Sequence, residues 1–123
     1  MYKPILTHPV GKSRGIVFIF HGLGGNPTQL NYTLNYLNNN QFSVCALALP
    51  EHKSSDSDKF NLTLEKITAY VKDISNVLTP LKNVPIFFVG VSFGASFARY
   101  FADKFERPLI NIAPFIEPFK WSS

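Results

Sequence analysis

Ile86-Phe87-Phe88-Val89-Gly90-Val91-Ser92-Phe93-Gly94-Ala95-Ser96 is the stretch on which the reading of this chain turns. A β-branched and aromatic run stops at Gly90, and a serine follows two residues later. A second glycine comes next, and then a run with helical spacing. Gly90-Val91-Ser92-Phe93-Gly94 fits G-x-S-x-G, the signature of a serine held on a sharp strand-to-helix turn. Such a turn leaves no room for side chains two residues before and after the serine, and glycine meets that demand. The hydroxyl is then exposed at the carboxyl end of a strand, above a helix N-terminus. The competing reading of the same pentapeptide is an ordinary turn or a phosphate-binding loop.

Working outward, apolar runs and helical stripes alternate. Ile16-Val17-Phe18-Ile19-Phe20 reads as a strand buried on both faces, ending in His21-Gly22-Leu23-Gly24-Gly25-Asn26-Pro27. Asn26 suits a helix N-cap and Pro27 a first helical position, with Leu30, Leu34 and Leu37 at helical spacing as far as Asn38-Asn39-Asn40. Val44–Leu49 is the next expected strand, closed by Pro50. A polar loop leads to a helix from about Thr63 to Leu81, with an apolar stripe of Leu64, Ile67, Val71, Ile74, Leu78 and Leu81. After the glycine-serine turn a helix runs to about Lys104, with Phe97 and Phe101 on one face. Leu109–Ala113 follows as a strand, and Tyr2–Thr7 as a short edge strand. This alternation predicts a mostly parallel sheet covered by helices on both faces, a three-layer α/β/α sandwich in one domain over residues 1–123. In such sheets ligands bind beyond the strand carboxyl ends, where His21, Pro50 and Ser92 all fall.

Composition narrows the function. Of 123 residues, 46% are hydrophobic and 16% charged, which predicts a folded core. The formal charge of +4 is scattered, with no basic run and no aromatic–basic motif, so nucleic acid is not an expected partner. Cys45 is the single cysteine and sits in an apolar run, a core thiol with no internal disulfide partner. No metal-ligand spacing appears, and no cofactor is implied. No apolar run approaches a membrane span or the core of a signal peptide, so a cytoplasmic location is expected.

Three blocks together resemble the α/β-hydrolase superfamily: strand Ile16–Phe20 with His21-Gly22, Leu49-Pro50-Glu51-His52 with Ser54, Ser55 and Asp56, and the Gly90–Gly94 turn. Glu51 stands where the family's Pro-Gly-His loop has glycine. The resemblance implies an α/β-hydrolase fold truncated after the strand that follows the nucleophile helix. It implies a serine esterase or lipase-like enzyme with a small ester or acyl substrate. Ser92 would be the nucleophile, with the backbone N–H groups of Leu23 and Phe93 as the oxyanion hole. His21 and His52 would then be loop residues rather than the base. A nucleotide-binding reading of Gly22–Pro27 fails because Pro27 occupies the last glycine position of G-x-G-x-x-G.

The pattern breaks after Ser92. The family order is Ser, then Asp or Glu, then His, yet His8, His21 and His52 all precede Ser92. Asp103 and Glu106 read as surface charges. Glu117 follows the last strand and is the candidate acid. Without a base a serine is a poor nucleophile, and loss of the histidine costs a serine hydrolase roughly a millionfold in turnover. Near-inactivity of this chain is therefore expected. Leu109–Ala113 would also be a bare apolar edge strand, which suits a second reading: a non-catalytic module that dimerises or binds a complementing chain there.

Overall fold

The computed structural model describes residues 5–21, 27–48, 64–91 and 94–112, with side chains in the first helix from residue 31 onward. Its elements in chain order are β1 (Ile5–Thr7), β2 (Ile16–Phe20), α1 (Pro27–Asn39), β3 (Ser43–Leu47), α2 (Leu64–Leu78), β4 (Ile86–Val91), α3 (Ala95–Phe105) and β5 (Leu109–Ile112). A single 3₁₀ turn, Thr79–Leu81, closes α2. The strands form one sheet in the order β1-β3-β2-β4-β5. β2 pairs in parallel with β3 and β4, β4 pairs in parallel with β5, and only β1 runs antiparallel, against β3.

The layering follows from strand order and handedness. From β2 the chain crosses one way to β3, then back past β2 to β4 and on to β5. A right-handed crossover in opposite directions places the connecting helices on opposite faces. Two core clusters record the outcome. Phe18, Phe20, Cys45, Leu47, Ile86 and Phe88 face Tyr70, Ile74 and Leu78 of α2 and Ala98, Phe101 and Ala102 of α3. On the other face Val17, Ile19, Val44, Ala46 and Val89 pack with Leu34 of α1. The strict alternation along β2 explains its unbroken apolar sequence, since both faces of that strand are covered. Phe20 stacks on Phe101 at 5.4 Å between ring centroids, and Phe18 meets Phe88 at 5.8 Å.

The expected elements are all present among the described residues, with shifted ends. β3 begins at Ser43 and ends at Leu47; Leu49 and Ala113, expected to end two strands, lie outside the described residues, as does residue 63. Pro27 opens α1 as the sequence suggested. The stripe assigned to α2 needs correction at two positions. Leu64 is 78% exposed, and Tyr70, absent from the stripe, is buried. Leu64 is the first residue of α2, while Tyr70 lies four residues before Ile74 on the same helical face. At the other end of the sheet, Arg107 donates to the carbonyls of Leu81, Lys82 and Val84, tying the start of β5 to the turn after α2. Among the described residues no helix is long and apolar enough to cross a membrane.

Burial pushes the Cys45 thiol from 9.0 up to about 11. The folded state thus holds its proton where the unfolded chain has lost it. The stability carried by the protonated thiol is complete below pH 9.0 and is lost as pH rises through about 11. Thermal midpoints of the wild type should fall more steeply across that window than those of Cys45→Ala. Equal slopes in the two proteins would refute the assignment.

Candidate functional site

The site is built where the sheet's strand order reverses, at the carboxyl ends of β2 and β4. This is the place where open α/β sheets bind ligands. The register aligns Phe20 with Gly90, so His21 begins where Val91 ends β4. Ser92 and Phe93 lie outside the described residues, as do Leu23, His52 and Glu117. The structure does define the two glycines that flank Ser92 and everything they touch.

Gly90 lies on the α3 face of the sheet. A Cβ built there would come within 2.5 Å of Ala95 Cα, 2.9 Å of Ala98 Cβ and 3.0 Å of Asn111 Oδ1. Helix α3 therefore returns against the strand that precedes it with no room for a methyl group. Gly94 is tighter still. A Cβ on it would collide with the Phe20 carbonyl oxygen and lie 2.5 Å from its carbonyl carbon. Both obstacles are backbone, so neither is relieved by a rotamer change. Chain direction thus reverses between two pinned glycines, one against the incoming helix and one against the neighbouring strand. This is the steric demand that G-x-S-x-G answers. Gly94 itself has φ −71° and ψ −14°, an ordinary helical conformation, so the requirement there is space and not backbone freedom.

Three further contacts fix the surroundings. The His21 amide donates to Leu47 O at 3.2 Å, holding the start of the glycine loop against the end of β3. The Tyr70 hydroxyl donates to Ala48 O at 2.9 Å, one residue beyond the β3 ladder. The Tyr70 ring meets Phe97 of α3 edge to face, with centroids 4.9 Å apart. The sequence reading passed over both Tyr70 and Asn111. Tyr70 stands at helical spacing from Ile67 and Ile74, a signal hidden by its hydroxyl. Asn111 faces Gly90 only through the β4–β5 register, which the sequence does not reveal.

The other histidine among the described residues is remote from this end. His8 Nδ1 lies 3.2 Å from Ser43 Oγ, at the amino end of β3, and Ser43 Oγ donates to Ser13 Oγ at 2.9 Å. His21 is half-buried at the site end. Asp103 and Glu106 are exposed on and just past α3, as surface charges should be. Among the described residues no group of His, Cys, Asp or Glu is arranged to hold a metal ion.

Comparison with known proteins agrees with this geometry. A family model described as serine aminopeptidase, S33, matches residues 11–120. No curated protein sequence matches the chain. Among solved structures the chain is similar to MenH from S. aureus, with 15% identity and a TM-score of 0.66 over 95% of this chain and 45% of that one. It is similar to a monoacylglycerol lipase of Paleococcus ferrophilus, with 21% identity and a TM-score of 0.63 over 99% of this chain and 49% of that one. A thermostable carboxyl esterase from Bacillus coagulans, solved in complex with glycerol, shares 26% identity and a TM-score of 0.61 over 89% of this chain and 39% of the other. The chain spans about half of these proteins' length or less.

The glycine pair yields a direct test. Gly94→Ala and Gly90→Ala should each cost about 3 kcal/mol or more, because backbone must move to admit the methyl group. Ser96→Ala, exposed on α3, should leave the unfolding midpoint unchanged. Chemical denaturation of the three variants decides it; wild-type stability in both glycine variants would refute the packing.

Proposed function

The chain belongs to the serine aminopeptidase S33 family of α/β hydrolases, and on that premise we propose that it carries the nucleophile half of a serine hydrolase acting on carboxylic esters. The observation that supports this reading most is the pair of glycines held by backbone contacts on either side of Ser92. The ester class is favoured by the lipase and the esterase among the similar structures.

In this reading Ser92 Oγ adds to the ester carbonyl carbon, and the carbonyl π pair moves onto oxygen. The backbone N–H groups of Leu23 and Phe93 hold that oxyanion. Its collapse expels the alcohol and leaves an acyl group on Ser92, which water then removes as the acid. The serine proton needs an acceptor to reach the leaving alcohol. No histidine follows residue 92 in this chain, and Glu117 is the acid candidate that would orient one. The chain alone is therefore a slow enzyme. An oxyanion hole with substrate binding still leaves about a thousandfold over water when triad members are lost.

A fluorophosphonate probe tests this on the 123-residue chain. The expected result is a slow, single adduct mapped to Ser92 and absent from Ser92→Ala. An adduct on another residue, or equal labelling of Ser92→Ala, would overturn the proposal.

One observation favours a second reading. Among the described residues β5 is an edge strand, and its Ile110 and Ile112, paired with Val89 and Val91 on the α1 side of the sheet, are 55% and 47% exposed. An uncharged edge of this kind pairs readily with another strand. On this reading the chain is a non-catalytic module that pairs with a second copy through β5. Light scattering should then show a dimer that Ile110→Lys and Ile112→Lys dissociate. A monomeric wild type would dismiss it.

A further inference from the structure

We propose that Tyr70 is a positioning residue of the Ser92 site, closing a ring of contacts around the carboxyl end of the sheet. This inference rests on the hydrolase reading above. The ring can be followed atom by atom. Gly94, at the start of α3, lies against the Phe20 carbonyl. The next amide, that of His21, donates to Leu47 O at 3.2 Å. The next carbonyl after Leu47, that of Ala48, accepts from the Tyr70 hydroxyl at 2.9 Å. The Tyr70 ring meets Phe97, one turn along α3 from Gly94. Helix α3, the end of β2, the end of β3 and helix α2 are thereby joined in a closed circuit.

Each link bears on the proposed chemistry. Gly94 lies two residues past Ser92, and His21 two residues before Leu23. The described residues that lead to the proposed nucleophile and oxyanion donor are therefore held by how β2 and β3 end relative to α3. β3 gives its last ladder pairing at Leu47. Beyond that point, among the described residues, the Tyr70 bond ties the strand end to α2 and through Phe97 to α3. Oxyanion stabilisation depends on donors held at 2.7–3.1 Å from the forming charge, so a small drift of that strand end weakens it.

Packing alone does not call for a tyrosine here. Tyr70 is 2% exposed, and a buried phenol must find a partner for its hydroxyl or lose stability. Phenylalanine would fill the same space and keep the contact with Phe97. The hydroxyl is the part that reaches the strand end.

Tyr70→Phe removes that bond and leaves the ring. Ile74→Val is the control: Ile74 is buried on the same helix and takes no part in the circuit. Two readouts are measured on the intact chain. Amide exchange at His21 should quicken about fivefold in Tyr70→Phe, the scale of one lost hydrogen bond, and not in Ile74→Val. Fluorophosphonate labelling of Ser92 should slow by a similar factor in Tyr70→Phe and stay within about twofold in Ile74→Val. Matching exchange rates at His21 in the two variants would overturn the inference, as would matching labelling rates. Failure of the wild type to label at Ser92 would instead sink the hydrolase reading, while His21 exchange still decides whether Tyr70 holds the ring.

Discussion

Among the described glycines the tightest approach is one backbone segment resting on another: Gly94 against the Phe20 carbonyl. Side chains adapt to their neighbours by changing rotamer, but two main chains in contact have no such freedom. This contact ties the start of α3 to the end of β2, and the β2–β4 register ties β2 to the strand that enters the turn. Phe20 therefore lies beside Gly90 through the register and against Gly94 through α3, so the described residues on both sides of the turn are fixed to one strand end.

The rest of the core serves that arrangement. The aromatic rings of Phe18, Phe20, Phe88 and Phe101 lie along the face between the central strands and α3. Phe20 is therefore held twice, through its carbonyl by Gly94 and through its ring by Phe101. Ala98 and Ala102 let α3 approach the sheet closely, and Gly90 lets it approach closer still. Small residues on the helix and a missing side chain on the strand are two halves of one packing solution. The far end of α3 is fixed by different means, with the Arg107 guanidinium gathering carbonyls from the turn after α2.

Much of this was legible in the chain before any coordinates. Ile16–Phe20 and Ile86–Val89 announce strands covered on both faces because nothing polar interrupts them. Gly90 and Gly94 announce a turn that excludes side chains. What the sequence conceals are relations between segments distant in the chain. Nothing local says that β3 lies on one side of β2 and β4 on the other, so nothing local puts Asn111 beside Gly90. Tyr70 was concealed for another reason. A stripe traced by apolar residues alone skips a phenol, although all of that side chain but its hydroxyl is phenylalanine and only its tip needs water or a partner. Leu64 erred the other way, an apolar residue at correct spacing that stands exposed as the first residue of α2.

The turn around Ser92 and the proton chemistry around it also differ in what they require. The turn depends on β2, β4 and the first residues of α3, and all of its described steric causes lie between Phe20 and Asn111. A base for Ser92 depends on a side chain delivered to the same point from another part of a fold. His8 cannot serve, since it lies at the opposite end of the sheet, beside Ser43. Geometry for a nucleophile and the means to activate it are therefore separable properties. The backbone contacts at Gly90 and Gly94 shape the turn whether or not a histidine stands beside it. Catalytic power would then be set by what accepts the serine's proton, and not by how well the serine is placed.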